Sequence, residues 1–560
     1  LASNRQPLSK DRNVAKFVAS TLTLILSWTA SLTLSNLTFA IHGAGSVNLA
    51  PDNGWRAFEI VTQNDSLVGL NDVGYPATAT RGTYDGLGTY VVGNMLSINV
   101  NHETSDAAIS RVDVSISAVR QAVDSKRDFG ATPFPTSFVT GMGYAYDRIY
   151  DGAYHAITNP NPVAQGTPAI VNYGIANFDR FCSGSSYVPN AFGPNRGLRD
   201  AMYITGEEVS GGKFYAIDQA TRSMWEVPAF GLGSWENAAQ VDTGNATHVA
   251  MLLNSDISGS AGDYLRLYVG RKGIDSNADG VIDFLERNGL RGGSVYHFVP
   301  TPPASATDLP DGTVSGQWAL STLGALVEDK LEDVHTNPLN GTQLVFADQT
   351  DGVYLLDTPL VFSGINFNPA ASPVTITQID NEVAQPLGNP DNLFWSRNGK
   401  IYVQEDGDGN EMWQIDENGG GHVRIAQGFS EPSGIIDVSA ELGYSPGTVL
   451  LSSLQGGGSS GAQLVALVAP VDPYGDFNND GRVNAADYVV WRKGLGTKYL
   501  PGDLNLWRSH FGQVAGGAGG HIDESQQTTA PEPASVLLVA LVVLASFSGR
   551  RIYRRPERNS

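Results

Sequence analysis

The sequence predicts an all-β fold, a β-propeller with insertions, and three observations predict it. The 560 residues include 64 Gly and 29 Pro but only 16% charged residues, which suits many short strands joined by tight turns. Short apolar runs are repeatedly bounded by Gly, Asp or Asn, as antiparallel hairpins require. These runs recur at irregular intervals of roughly 40 to 70 residues, which fits propeller blades because radial repetition hides sheet edges. They share no sequence motif, so a sandwich is the alternative.

The expected strands are Lys213 to Ile217, Tyr264 to Gly270 with Ser294 to Phe298, Gln343 to Ala347 with Gly352 to Asp357, and Lys400 to Gln404 with Glu411 to Ile415. Val112 to Val123 alternates and then becomes helix-compatible, which leaves its assignment open. Gly457-x-Ser459-x-Gly461 formally matches a hydrolase nucleophile elbow, but its Gly/Ser run between two apolar stretches reads as a hairpin loop.

With 57 acidic and 35 basic residues the chain carries a formal charge of −22, a field that repels nucleic acid and attracts divalent cations. The single cysteine, Cys182, has no partner for an internal disulfide. In an oxidising compartment it is a buried apolar group, a metal ligand or a reactive thiol.

Both ends read as addresses. Lys10, Arg12 and Lys16 precede the apolar stretch from Phe17 to Leu34, and Thr38-Phe39-Ala40 offers a cleavage site, so residues 1–40 are expected to be a signal peptide. A membrane anchor is the alternative. Residues 531–560 begin Pro531-Glu532-Pro533, continue through the apolar Ala534 to Phe547 and end in an arginine-rich tail. They resemble a PEP-CTERM sorting signal. That resemblance implies membrane holding through the apolar segment, processing by an exosortase, and delivery to the cell surface or extracellular matrix. Between the ends lie a large domain (41–470), a compact module (471–513) and a Gly-rich linker (514–530).

Two segments have the spacing of calcium loops. Asp275, Asn277, Asp279, Val281, Asp283 and Glu286 fill positions 1, 3, 5, 7, 9 and 12 of a twelve-residue loop with Gly280 at position 6. The loop follows a strand, so calcium is expected either to pin an insertion or to take part in chemistry. Asp476, Asn478, Asp480, Arg482, Asn484 and Asp487 repeat the pattern and run into a helical segment. This second loop resembles one half of a type I dockerin. Asp503-Leu-Asn505 keeps only a remnant of the other half, so cohesin binding is doubtful and a calcium-stiffened spacer is at least as well supported. A third acidic run, Glu405-Asp406-Gly-Asp408-Gly-Asn410, lacks the position-6 glycine and is not an EF-hand.

Read in order, Asn101-His102-Glu103, Arg180-Phe181-Cys182-Ser183-Gly184, Tyr203 to Glu208, Ser234-Trp235-Glu236-Asn237, Phe284 to Leu290, Leu331-Glu332-Asp333-Val334, Asp391-Asn392-Leu393 and Gln404 to Gly407 resemble the motif series of the PhoX alkaline phosphatases. The resemblance covers about residues 55 to 465 and implies a six-bladed propeller holding iron and calcium through one cysteine and several carboxylates. Independently, a thiolate suits iron while carboxylates suit calcium and ferric iron. The expected ligands, which would also carry the chemistry, are Cys182, Glu207, Glu236, Glu332 and Glu405, with Glu208, Asp333 and Asp406 as neighbours able to exchange roles. Arg180 can grip phosphate through its guanidinium fork, although an ion pair is the commoner fate. His102 and Glu103 read as a loop pair closing a strand. Ser185 to Asp200 departs from the family pattern beside the expected site. The implied activity is hydrolysis of organic phosphate monoesters by a calcium and ferric-iron cluster. A non-catalytic calcium-binding propeller at the cell surface is the alternative.

Overall fold

The computed structural model describes residues 46–495, except 73–74, 78–81, 106, 128–131, 158–177, 258–262, 303–308, 310, 382–385, 408, 457–460, 471–476 and 478–481, together with 504, 507–508 and 511–512. The signal peptide, linker and sorting segment expected at the ends lie outside these residues.

The described residues form a propeller of six blades, each built on four antiparallel strands, with further strands added at the outer edges of the second and fifth. The innermost strands are Tyr84–Val92, Phe181–Tyr187, Trp235–Val241, Leu331–Thr336, Pro390–Trp395 and Pro432–Asp437. Each packs on the next and the last returns to the first, so they enclose an axis. The outer strands of the third and fourth blades merge, because Thr313–Ala319 pairs with Ser294–Pro300 on one side and Pro373–Asn381 on the other. The expected hairpins are all present, and Val112 to Val123 divides at Ser115 between the strand Ile109–Ser115 and the helix Ile116–Arg127. The 457–461 segment connects the paired strands Val449–Leu454 and Gln463–Val468, and its residues 457–460 lie outside the described ones.

The N-terminal strand closes the ring. Arg56–Thr62 forms the outer edge of the sixth blade by pairing antiparallel with Gln463–Val468. Leu49–Pro51 likewise adds to the fifth blade at Val423–Gly428. Two distant parts of the chain are thereby joined by backbone hydrogen bonds, and Arg56–Thr62 becomes the outermost strand of the sixth blade.

The core lies between blades. Leu252, Phe298, Trp318, Phe346 and Leu356 form one cluster where the third and fourth blades meet. Trp318 is 1% exposed and its indole donates to Thr358 Oγ1 at 2.8 Å. Truncating such a side chain to alanine costs about 3 to 5 kcal/mol. Between the first and sixth blades, Phe58 and Leu464 pack with Val100 and Val112. The helix Ile116–Arg127 buries Val119, Ala122 and Val123 at helical spacing and ends on Lys126 and Arg127, which complement its dipole. Among the described residues no helix is long and apolar enough to cross a membrane.

Candidate metal centre

Every inner strand carries a β-bulge near its N-terminal end, and the bulges build the site. In the first blade Tyr84 pairs with His102 and Leu87 with Val100, so Asp85 and Gly86 face a single partner. The same two-against-one arrangement places Cys182 and Ser183, Glu236 and Asn237, Glu332 and Asp333, and Asp391 and Asn392. In the sixth blade the extra residue is Gly434. A bulge breaks the strict alternation of a strand and re-aims side chains. Here the first residue of each pair in blades one to five is Asp85, Cys182, Glu236, Glu332 and Asp391.

The neighbouring strands supply a second ring. The backbone amides of Glu103, Glu208, Gln349, Asp406 and Gln455 donate to the carbonyls of Thr83, Arg180, Lys330, Asn389 and Glu431 at 2.9 to 3.1 Å. Thr83, Arg180, Lys330 and Asn389 adopt φ of 52°, 44°, 56° and 42°, the left-handed region that non-glycine residues rarely enter. Such conformations cluster at functional sites, where surrounding structure holds them. One hydrogen bond repeated in five blades therefore pins the second ring against the first.

Together the two rings form three overlapping donor triads: Asp85, Glu103 and Cys182; Cys182, Glu208 and Glu236; Glu236, Glu332 and Asp391. Within each triad the ligand atoms lie within 4.8 Å of one another. Cys182 and Glu236 are each shared by two triads. The Cys182 thiol donates to Glu208 Oε2 at 2.7 Å. Gln455 Nε2 links Asp85, Glu103 and Glu431 at 3.2, 2.8 and 2.8 Å.

Burial and then mutual repulsion push Asp85, Glu236, Glu332 and Asp391 well above the carboxylate range. Burial likewise raises Glu208 and Glu431 to about 7. Two cations touch the cluster: Lys330 Nζ lies 3.0 Å from Asp256 and 3.1 Å from Glu332, and Arg180 Nη1 lies 3.5 Å from Glu208. Two side-chain cations do not balance this many acids. The excess must be met by protons or metal ions, and a buried mixed thiol and carboxylate donor set fits metal ions.

The structure sorts the expected ligands. Cys182, Glu208, Glu236 and Glu332 meet at the axis. Glu207 does not: it accepts from the backbone amides of Asp179 and Lys213 at 3.1 and 3.2 Å. Glu405 is similarly turned aside and accepts from Gly388 N at 2.8 Å and Trp413 Nε1 at 2.9 Å. Its neighbour Asp406 faces the axial side, where it receives Gln349 Nε2 at 3.0 Å and lies beside Glu431. Asp333, the second residue of its bulge, accepts from Asn237 Nδ2 at 2.5 Å and Leu393 N at 3.1 Å. Sequence reasoning did not single out Asp85, Asp256 or Glu431, quoted Asp391 within a motif without naming it a ligand, and read Glu103 as a loop residue.

The 275–286 loop lies on the outer part of the third blade, between the strands Arg266–Arg271 and Ser294–Pro300. Asp275 accepts from the amides of Asp279 and Gly280 at 3.2 and 2.9 Å, and Asp279 accepts from Val281 at 2.8 Å. Asp283 caps the short helix Phe284–Asn288 in a capping box with Glu286. Glu286 also receives Ser276 N at 2.7 Å. Among the described residues, the donor triads occur at the axis and not in this loop. In the second loop, Asp476, Asn478 and Asp480 lie outside the described residues. Asn484 caps the helix Ala485–Gly494 with Asp487, and Trp507 Nε1 donates to Asn484 O at 2.7 Å.

Below the bulges the axis opens into a cavity of about 280 Å³, lined by the C-terminal halves of the inner strands and residues such as Tyr187, Phe192, His335 and Phe394. Ser185 to Asp200 belongs here. Its first residues complete an inner strand and Ala191 and Phe192 line the cavity, so it faces the end of the channel opposite the triads. Asp200 ties it to Arg287 and Asn288 of the short helix.

The fold and site define a six-bladed propeller with a thiol and carboxylate centre at one end of its axis. No family profile and no curated protein matches the chain. Among solved structures it is similar to Pseudomonas fluorescens PhoX in complex with vanadate, a transition state analogue, with a TM-score of 0.51 and 13% identity over 77% of this chain and 97% of that one. A looser likeness joins it to YCF48 bound to D1 peptide, with a TM-score of 0.30 and 8% identity over 76% and 98% of the two chains. The first likeness makes the fold PhoX-like.

Proposed function

We propose that the chain is an exported metal-dependent hydrolase of organic phosphate monoesters. One observation carries this reading: a single thiol and a ring of carboxylates converge at the blade axis with Arg180 and Lys330 beside them. Cys182, Asp85, Glu103, Glu208, Glu236, Glu332 and Asp391 would hold the ions, with iron nearest the thiol and calcium among carboxylates alone. When bound, such ions supply Lewis acidity toward phosphoryl oxygens and an activated water. The likeness in fold to a phosphatase captured with a transition state analogue supports the same chemistry.

The chain's own groups would orient the ester. Arg180 has a half-exposed side chain, held on Glu208 with donors to spare for a phosphoryl oxygen. Burial works against the charge of Lys330, but Glu332 and Asp256 keep its ammonium protonated. It adds a second fixed positive charge where negative charge develops during transfer.

The loop at 275–286 is proposed as a calcium site that pins the outer hairpin, and the loop at 476–487 as a calcium-stiffened spacer. The terminal signals support export, exosortase processing and a surface or matrix location. The test is hydrolysis of p-nitrophenyl phosphate by the full chain loaded with calcium and ferric iron. Turnover abolished by chelator supports the reading. A folded, metal-loaded protein without turnover favours a non-catalytic scaffold.

A further inference from the structure

A hydrogen-bonded relay crosses the propeller axis directly beneath the donor triads, and its polarity is fixed by one backbone amide. Gly434 N donates to Asn392 Oδ1 at 2.7 Å. A backbone N–H can only donate, so the amide oxygen of Asn392 must face Gly434 and its NH₂ must face the other way. There Asn392 Nδ2 donates to Ser183 Oγ at 2.5 Å. Ser183 has one proton left to give, and it goes to Glu236 Oε1.

Asn392 belongs to the fifth blade and Ser183 to the second, which stand opposite in a ring of six, so their bond spans the channel. Both residues are 1% exposed. Gly434 itself admits no side chain: its φ is +66°, and an added Cβ would meet Asp85 O at 2.7 Å.

We propose that Ser183 and Asn392 are positioning residues for Glu236, the carboxylate common to two donor triads, and that they separate the metal centre from the axial cavity. Fixing Oε1 on the serine hydroxyl would hold the Glu236 side chain in one orientation between the two donor triads that share it, where its carboxylate would be offered to ions. Partners of this outer kind typically tune affinity by about 10- to 100-fold. The proposal rests on the metal-centre reading, and the experiment separates the two.

Iron affinity and the visible thiolate-to-iron absorption band are measured on the full chain and on Ser183→Ala, Ser183→Thr and Asn392→Asp. Ser183→Ala is expected to bind iron about 10- to 100-fold more weakly with a displaced band, and Ser183→Thr to restore both by keeping the hydroxyl. Asn392→Asp, which barely changes volume, replaces the donor with an acceptor that competes for the serine proton. It should weaken binding likewise, and it carries the test if Ser183→Ala does not fold. Wild-type affinity and band in Ser183→Ala or, where that variant is unfolded, in Asn392→Asp would overturn the proposal. So would a loss that threonine fails to restore, since threonine keeps the hydroxyl on which the proposal depends. A wild-type chain that takes up no iron overturns the metal-centre reading and this proposal with it.

Discussion

The thiol of Cys182 and the carboxylate of Glu208 meet at 2.7 Å, although they lie 26 residues apart, one in the strand Phe181–Tyr187 and the other just past the end of its neighbour Met202–Glu207. Glu207, one residue earlier, faces the other way toward the amides of Asp179 and Lys213. Alternation along a strand means that only one of two adjacent acids can point at the axis. The choice between Glu207 and Glu208 therefore decides which substitution reaches the centre.

Glu208→Gln is expected to lower metal affinity by about 10-fold or more while leaving the melting temperature of the metal-free protein nearly unchanged. Glu207→Gln should do the reverse, costing about 1 to 3 kcal/mol of stability by leaving a buried amide poorly satisfied, with metal content intact. Metal titration and denaturant melts on both variants check the contrast. Equal metal loss in the two would refute the assignment.

The all-β hairpins were legible in the sequence, because each is written as an apolar run between turn residues and needs no distant partner to be recognised, whereas their closure into a propeller rested on the recurrence of sheets and the family resemblance, with a sandwich as the alternative. Of the candidate site, Cys182, Glu236 and Glu332 stand in short motifs and converge at the axis, while Glu207 and Glu405 turn aside. What could not be read was the bulge. A bulge depends on how two strands register, and register is set by the whole blade. Once it is seen, a repeated pattern emerges in Tyr84-Asp85-Gly86, Phe181-Cys182-Ser183, Trp235-Glu236-Asn237, Leu331-Glu332-Asp333 and Pro390-Asp391-Asn392. Each has an apolar or proline residue, a residue able to donate to a metal, then a small or amide-bearing one. Asp333 departs from that last class and is paired with Asn237 instead. That pattern would have pointed to Asp85 and marked Asp391 as a donor.

Removing the ions should destabilise the fold. Glu208 and Glu431 are raised to about 7 and four further acids lie well above their usual range, so the empty cluster is held together against its own repulsion. Ligands at about 100 times their dissociation constants contribute about 2.7 kcal/mol. Thermal melts with and without chelator should show a clear drop, and an unchanged midpoint would count against any tightly bound ion.

Gly86→Ala should be among the most damaging single-methyl changes. Its Cβ would lie 2.4 Å from Cys182 O and 2.6 Å from Gly184 N, and both are backbone atoms that cannot rotate away. The expected cost is about 3 kcal/mol or more, measured by denaturant unfolding. A loss below about 1 kcal/mol would mean that the first and second blades pack less closely than described.

His335 lines the axial cavity, lies tilted against Phe394 with ring centroids 4.2 Å apart, and is lowered to about 4 by burial. Its unfolded value is about 6.5, so below that pH the unfolded chain takes up a proton that the folded one refuses. The stability this residue contributes is complete above about pH 6.5 and falls as the pH drops toward 4. Comparing pH-dependent melts of wild type and His335→Phe isolates it, and the variant should lose less stability across that window. Parallel curves would exclude the buried neutral imidazole.

Arg180→Gln should leave metal content unchanged and reduce kcat/KM for a phosphomonoester by about 100-fold, the scale expected when one fixed donor to the transferring group is lost. Steady-state kinetics beside elemental analysis check it. Undiminished turnover would assign Arg180 to its ion pair with Glu208 alone.

The most direct test of the central claim is elemental analysis of the full chain purified with calcium and iron present, set beside Cys182→Ser. A metal centre built on the axial thiol predicts iron bound stoichiometrically by the wild type and lost from the variant, with calcium retained by both. Wild-type protein that binds calcium but no iron, or a Cys182→Ser variant that keeps its iron, would contradict it.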